Sequence, residues 1–304
     1  MTIVAHDNRL RELVDPDAPI ERIATGYQFT EGPVWHSRER TLIFSDVRGG
    51  AMYRWTESGG AAVFRNPSGV GNGNTYDRAG RLLTCEHEGR RVSRTAPDGT
   101  VETVAGAYEG KRLNSPNDVI CTESGDIIFT DPPYGLRQPD GSFLPGELPF
   151  NGVFRVAAGS GALTLLVDDF DRPNGLVISA DQSRLFIADT AREHIRVFDV
   201  GADGKLSNDR VFVEGFAAKI GGATPARPDG MKLDSRGNLY VAANTEAGVW
   251  VVSPEGELLG EIGLPETPAN LAWGGDGWRT MFVTATTSVY RIPMKVAGQP
   301  VPLA

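Results

Sequence analysis

Residues 227–241 read RPDGMKLDSRGNLYV: a tight turn at Pro-Asp-Gly, a short apolar strand, a second turn and a second strand. The chain contains six copies of this pattern, and in each the second strand starts 10 or 11 residues after the first polar residue. These first polar residues are Glu31, Asn72, Asn117, Asn174, Asp229 and Asn270. Their intervals of 41, 45, 57, 55 and 41 residues indicate a repeat architecture, and short strands at this period predict the blades of a β-propeller.

The six copies predict an all-β, six-bladed propeller with four-stranded blades, formed by residues 1–304 as one domain. The last copy shows only three clear strands, while residues 20–25, which read IERIAT, form an early strand without a blade of its own. We expect this strand to complete the last blade, because a closed ring leaves no open sheet edge. Residues 1–19 are expected to be an irregular tail, and no segment predicts a convincing helix.

Composition narrows the classes of function. The 30 Lys and Arg against 39 Asp and Glu give a net charge of −9, which disfavours nucleic acid and anionic membranes as partners and suits a protein that binds a cation. No stretch approaches the roughly 18 apolar residues of a membrane span, and residues 1–7 lack a signal-peptide core. A cytoplasmic location is therefore expected, or a periplasmic one if a signal was removed. Cys85 and Cys121 are too few for a disulfide framework and are expected to be buried thiols.

The first residues of the copies carry the predicted chemistry. In a propeller the innermost strand of each blade lines the central channel, so these six residues are expected to converge at one end of the axis. Four of them offer two carboxylates and two amide oxygens and no sulfur or imidazole: Glu31, Asn117, Asn174 and Asp229. This donor set predicts Ca²⁺, or another hard cation such as Mg²⁺ or Mn²⁺, rather than Zn²⁺. Asn-Gly and Asp-Gly are also ordinary turn formers, so Glu31 is the residue that favours a metal site.

A second column of acidic residues ends the second strands, at Asp46, Glu86, Asp131 and Asp189. Such carboxylates usually accept backbone N–H groups in the next turn, and we expect this structural role for Asp46 and Asp189. Glu86 and Asp131 are also candidate substrate contacts, because Glu86 is next to His87 and Asp131 directly precedes an insertion. No Ser-His-Asp spacing occurs.

His87 and Asn72 are two further candidate substrate contacts. Each has a competing structural interpretation: His87 as a lone histidine without a ligand, and Asn72 as an ordinary turn residue. Asn270 is interpreted first as a turn residue. The insertion, residues 132–151, lies between the second and third strands of blade three and is rich in proline and aromatic residues. It predicts a packed rim over one end of the channel, with an ordinary surface loop as the alternative.

Four motifs resemble those of the regucalcin/gluconolactonase/luciferin-regenerating-enzyme family: TEGPVW at 30–35, SPND at 115–118, RPNGL at 172–176 and RPDGM at 227–231. The resemblance extends over residues 20–292, and residues 84–87 and the insertion are similar to the bacterial gluconolactonase branch. It implies a six-bladed propeller with an axial divalent cation, usually Ca²⁺, bound by Glu31, Asn174 and Asp229. It further implies that Asn117 contacts metal or substrate and that Asp229 is the general base. One departure is Ser115, where animal members have an arginine.

The predicted function is therefore a metal-dependent hydrolase that opens a sugar lactone, first of all D-glucono-1,5-lactone. The cation would stabilise the developing oxyanion, and Asp229 or the cation would activate water. A carboxylate that binds a cation becomes a weaker base, which argues for the second possibility. Two alternatives are a non-catalytic propeller that binds a ligand or protein around a structural metal, and a phosphotriesterase-like hydrolase.

Overall fold

The computed structural model describes residues 2–215, 227–244 and 247–302, and the side chains of residues 244 and 247 are outside this description. Its described strands form six antiparallel sheets of four or five strands and one small hairpin. Neighbouring innermost strands contact one another in ring order, and the innermost strand of the last sheet contacts that of the first. The predicted six-bladed β-propeller is thereby confirmed.

The elements follow in chain order. Before the first blade lie β1 (Ile3–Ala5), α1 (Leu10–Leu13) and β2 (Glu21–Thr25). Blade one, from the axis outward, is β3 (Thr30–His36), β4 (Thr41–Asp46), β5 (Ala51–Thr56) and β6 (Gly60–Arg65). Blade two is β7 (Gly71–Tyr76), β8 (Leu82–Glu86), β9 (Arg91–Thr95) and β10 (Val101–Ala105), and the hairpin of β11 (Ala107–Tyr108) and β12 (Lys111–Arg112) follows it.

Blade three is β13 (Val119–Cys121), β14 (Ile127–Asp131), β15 (Asn151–Val156) and β16 (Leu163–Phe170). Blade four is β17 (Pro173–Ile178), β18 (Arg184–Asp189), β19 (His194–Val200) and β20 (Leu206–Glu214). Blade five is β21 (Pro228–Leu233), β22 (Leu239–Asn244), β23 (Ala247–Val252) and β24 (Leu258–Gly263). Blade six begins with β25 (Pro268–Gly274), β26 (Thr280–Ala285) and β27 (Ser288–Pro293). Two 3₁₀ turns, Tyr134–Leu136 and Asp276–Trp278, interrupt this order.

The ring closes as predicted. Strand β2 pairs antiparallel with β27, with Glu21 opposite Arg291 and Thr25 opposite Ser288, and so becomes the fourth strand of blade six. Trp35 of blade one stacks on Phe282 of blade six with ring centroids 5.3 Å apart. Apolar side chains between the faces of adjacent blades form the core, so the first and last blades are joined by the same packing as the others.

The N-terminal segment differs from the expected irregular tail. Strand β1 pairs with β24 as a fifth strand of blade five, with Ile3 opposite Ile262. In and after α1, Leu10, Leu13 and Val14 are buried in the core between blades five and six. Their i, i+3, i+4 spacing is that of one helical face, but the polar residues around them hide this short signal in the sequence.

The far end of the channel is covered by the C-terminal segment. The backbone N–H of Gln299 donates to the Leu233 carbonyl at 3.1 Å, and Gly298 lies against the ring of Trp273. Cys85 and Cys121 are buried free thiols, as predicted. Within the described ranges, no helix is long and apolar enough to cross a membrane.

Candidate functional site

The six first residues of the repeats are all buried at the starts of the innermost strands. Their turns touch in ring order, because the residue after the polar one is glycine in four copies: Gly32, Gly73, Gly175 and Gly230. A Cβ at Gly32 would lie 2.0 Å from the Asn72 carbonyl oxygen, and one at Gly175 would lie 2.3 Å from the Asp229 carbonyl oxygen. No larger side chain fits between these turns, so the glycines allow the polar residues to converge on the axis.

Hydroxyl groups of one blade hold the turn of the next. Ser45 Oγ donates to the Asn72 carbonyl at 2.8 Å, and Thr130 Oγ1 donates to the Asn174 carbonyl at 2.9 Å. Thr190 Oγ1 donates to the Pro228 carbonyl at 2.7 Å, next to Asp229. Sequence reasoning missed these residues, although each lies within one position of the acidic column that ends the second strands. They fix the ring because a buried carbonyl is costly to leave without a donor.

Glu31 has one occupied oxygen and one available oxygen. Its Oε2 accepts hydrogen bonds from the Gly32 N–H at 2.6 Å and from Asn270 Nδ2 at 3.0 Å. In the described part of the chain Oε1 takes part in no hydrogen bond. Burial raises the pKa of Glu31 well above its usual range, and the nearby carboxylates of Asp229 and Asp118 raise it further. Asn270 therefore orients Glu31 and is more than a turn residue.

The two asparagines of the predicted quartet are oriented differently. Asn174 Nδ2 donates to Thr190 Oγ1 at 2.9 Å, which leaves the amide oxygen as the end available to a ligand. Asn117 is held through its backbone, whose N–H donates to the Thr130 carbonyl and whose carbonyl accepts from Gly73. Among the described residues its side chain forms no hydrogen bond. Both amides can therefore offer an oxygen without losing a partner.

Asp118 is a buried acidic residue that sequence reasoning did not select. It occupies the position that is glycine in four other copies, and this substitution was the available signal. Its Oδ1 accepts from the Val119 N–H at 2.9 Å, while Oδ2 is buried and has no hydrogen-bond partner among the described residues. Burial raises the pKa of Asp118, and the positive charge of Lys232 opposes this shift.

The donor set fits a hard cation. Three buried carboxylates lie at this end of the channel, and those of Asp229 and Asp118 both act on Glu31 by electrostatic repulsion. A divalent cation would relieve this repulsion, and oxygen donors are the ligands that Ca²⁺ prefers. In the described ranges no three His, Cys, Asp or Glu side chains come together as a metal-binding group. A cation here would thus depend on the amide oxygens of Asn117 and Asn174 as well as on carboxylates.

His87 and Asn72, both candidate substrate contacts, are brought together. The His87 Nε2 lies 3.1 Å from Asn72 Nδ2, and burial lowers the pKa of His87 to about 4. The imidazole is therefore neutral near pH 7, and its Nε2 accepts the amide hydrogen. Asn72 Oδ1 is buried without a partner in the described structure, so it can accept a hydrogen bond from a bound molecule.

Glu86 and Asp131 have partners of their own. Glu86 forms ion pairs with Arg65 at 2.6 Å and Arg91 at 2.7 Å. Asp131 accepts from the backbone N–H groups of Asn114 at 2.7 Å and Ser115 at 2.8 Å, and burial raises its pKa to about 7. Both carboxylates are therefore engaged within the protein, and their contact with a substrate stays a prediction.

Asp46 and Asp189 have the structural role that the sequence predicted. Asp46 accepts from the backbone N–H groups of Gln28, Phe29 and Gly49. Asp189 accepts from those of Asp171, Arg172, Ala191 and Arg192. These two carboxylates, like that of Asp131, therefore stabilise the loops between strands, whereas Glu86 joins two arginine side chains.

The insertion packs onto this end of the propeller. Ser115 Oγ donates to the Pro132 carbonyl at 2.6 Å and accepts from the Gly135 N–H at 2.8 Å. On the other side, the Arg172 guanidinium lies 5.2 Å from the centre of the Phe143 ring, just before the strand that begins blade four. The segment is thus fixed at both sides of the candidate site, as expected of a rim.

The amino-acid sequence is similar to those of known proteins. Residues 29–287 match the family described as SMP-30/Gluconolactonase/LRE-like region. The chain is 34% identical to a gluconolactonase of Zymomonas mobilis, over 95% of this chain and 85% of the relative.

Solved structures show the same likeness. A gluconolactonase from Xanthomonas campestris has a TM-score of 0.87 and 32% identity, with 97% of this chain and 95% of that one covered. Regucalcin from Agrobacterium tumefaciens, a calcium-binding protein, has a TM-score of 0.78 but only 17% identity, over 94% of this chain and 97% of that one. The second likeness is one of fold.

Proposed function

Because the chain belongs to the SMP-30/gluconolactonase/LRE-like family and is a lactone hydrolase, we propose that it opens a sugar lactone to the aldonic acid with the help of a divalent cation. D-glucono-1,5-lactone is the first candidate substrate, since two relatives that are similar over nearly the whole chain are gluconolactonases. The observation that carries the proposal is the convergence of Glu31, Asn117, Asn174 and Asp229 at one end of the channel.

The same four residues would hold the cation, Glu31 through Oε1 and Asn174 through its amide oxygen. Ca²⁺ is the expected ion, and Mg²⁺ or Mn²⁺ are alternatives. When bound, such an ion would polarise the lactone carbonyl as a Lewis acid. Asp118, with one buried oxygen that lacks a hydrogen bond in the described structure, adds negative charge beside the ion.

We propose that Asp229 moves the proton. The oxygen of water adds to the lactone carbonyl carbon, and the water proton passes to the Asp229 carboxylate. The bond between that carbon and the ring oxygen then breaks, and the ring oxygen takes the proton from Asp229. A positioned general base of this kind typically contributes about 10²–10⁴-fold to the rate. If Asp229 is instead a ligand only, an Asp229→Asn variant that retains the metal should show no such loss of rate.

The substrate hydroxyls need neutral hydrogen-bonding partners. Asn72 Oδ1 has no partner within the described residues, and its amide is oriented by the neutral His87. Asn117 has a side chain that is not engaged by the described protein, so it can contact metal or substrate. Polar groups of this kind favour a hydroxylated ring, because their burial is costly when nothing binds them.

The test is acid release in a pH-stat with a panel of sugar lactones, with added Ca²⁺ and after treatment with a chelator. We expect turnover of D-glucono-1,5-lactone that falls on chelation and returns with Ca²⁺. A non-catalytic binding propeller would release no acid from any lactone. A phosphotriesterase-like hydrolase would cleave an activated phosphotriester faster than every lactone in the panel.

A further inference from the structure

The insertion sends one side chain into the candidate site. Most of its residues lie on the surface, and Leu144 is 51% exposed. Tyr134, at the start of the 3₁₀ turn Tyr134–Leu136, differs because its hydroxyl oxygen is buried. This hydroxyl interacts with the side chains of Thr190 and Asn174, and the Asp229 carboxylate acts on it electrostatically. Tyr134 therefore reaches from the insertion to the ring of repeat-initial residues.

The position of the tyrosine is fixed by the turn that carries it. The next residue, Gly135, donates its N–H to Ser115 Oγ at 2.8 Å. A Cβ at Gly135 would lie 2.7 Å from the Cβ atoms of both His87 and Ser115, so the backbone rests directly on the inner blades. Such a contact leaves little freedom for the turn to lift or slide, and a fixed side chain is what substrate positioning requires.

The hydroxyl of Tyr134 has unused hydrogen-bonding capacity. Within the described residues it forms no hydrogen bond of regular geometry. The Thr190 hydroxyl is already engaged, because it accepts from Asn174 Nδ2 and donates its own hydrogen to the Pro228 carbonyl. A phenolic hydroxyl carries one O–H donor and an oxygen that accepts. The group can thus both donate and accept, as an alcohol partner requires.

We propose that Tyr134 is a substrate-contacting residue that hydrogen-bonds a ring hydroxyl of the bound lactone and so selects hydroxylated lactones over unsubstituted ones. This inference rests on the proposed lactone hydrolysis. A site built to hydrogen-bond a hydroxyl discriminates against an analogue that lacks it, because the buried protein group is then left without a partner. The insertion is the element that provides this selectivity.

The experiment compares Tyr134→Phe with wild type on D-glucono-1,5-lactone and on δ-valerolactone, which has the same ring without hydroxyls. Phenylalanine keeps the aromatic ring and removes only the oxygen. We expect kcat/KM for gluconolactone to fall about tenfold, the effect of losing one hydrogen bond, and the value for δ-valerolactone to stay unchanged. If δ-valerolactone turns over too slowly, its inhibition constant against gluconolactone hydrolysis replaces kcat/KM.

Two controls separate this role from a structural one. Leu144→Ala, on the exposed part of the same insertion, should leave both lactones unaffected. Calcium affinity measured by calorimetry should be unchanged in Tyr134→Phe, because the tyrosine is not a proposed ligand. An equal loss on both lactones, or no loss on either, would overturn the inference while leaving the proposed function intact. A wild-type protein that hydrolyses no lactone would instead overturn the proposed function and with it this inference.

Discussion

Gly230→Ala provides a direct test of the close packing at the axis. Gly230 follows Asp229, and a Cβ built there would lie 2.0 Å from Asn270 Cγ and 2.1 Å from its Oδ1. The Asn270 side chain cannot simply swing away. Its Oδ1 accepts from the Leu271 N–H at 2.8 Å, and its Nδ2 donates to Glu31 Oε2 at 3.0 Å.

The magnitude follows from these contacts. Overpacking a filled core typically costs about 1–3 kcal/mol. Displacing Asn270 also breaks a hydrogen bond to a carboxylate, which is worth roughly 1.5–3 kcal/mol. Together these effects predict a loss of about 2.5–6 kcal/mol in the free energy of unfolding. Calcium affinity should fall as well, because Glu31 loses the group that orients it.

Urea unfolding followed by circular dichroism gives the stability, and calorimetric titration gives the calcium affinity. Gly248→Ala is the matched control, since its Cβ would meet nothing closer than 3.6 Å. Neither glycine has a positive φ, so both alanines are conformationally acceptable and only the steric contact differs. Equal unfolding midpoints and equal calcium affinities for the two variants would refute the proposed packing of the ring.

Four further substitutions and one pH series test the site and the fold. Asp229→Asn, saturated with metal, should lose about 10²–10⁴-fold in turnover, whereas excess metal should restore much of the activity of Asn174→Ala. Near-normal turnover of metal-loaded Asp229→Asn in the pH-stat, with metal content measured in the same samples, would leave Asp229 a ligand only. Glu31→Gln should raise the melting temperature without Ca²⁺, by removing one of the mutually repelling carboxylates, yet lower the gain that Ca²⁺ produces. Because the pKa of Glu31 is raised, the metal-free wild type should also lose stability as pH rises above about 4.5, and a pH series of melting curves in which the wild type and Glu31→Gln run parallel would contradict this. Leu10→Ala should cost about 2–5 kcal/mol in urea unfolding, against a negligible change for Leu144→Ala, and equal values would show that the N-terminal segment does not dock.

Much of the candidate site could be predicted because the repeat makes six positions equivalent. Once Glu31 and Asp229 occupy the same place in their blades, the propeller geometry brings them to the same end of the axis. Asp118 was missed because its role depends on a comparison within the repeat, where it replaces a glycine. The orienting bond from Asn270 to Glu31 spans 239 residues and has no local signature.

The N-terminal segment shows that very short strands and helices cannot be predicted from the periodicity of apolar residues. Strand β1 has three residues and α1 has four, which is too little for a periodic signal. Leu10 is buried because blades five and six provide an apolar surface for it, and that surface exists only after the ring has formed. The same dependence holds for the insertion, whose contacts with Ser115 and Arg172 join different blades.

By itself the amino-acid sequence determined the blade number, the closing strand, and the six repeat-initial residues at the axis. These properties repeat along the chain, so local turns and alternating strands are enough to specify them. Tertiary structure decided which of the polar groups are supports and which are available to a ligand. A hydrogen bond or a steric contact between distant segments determines that distinction, as with Glu86 held by Arg65 and Tyr134 placed beside Asn174. Such contacts depend on which distant segments of the chain meet in space, and no periodicity in the sequence encodes them.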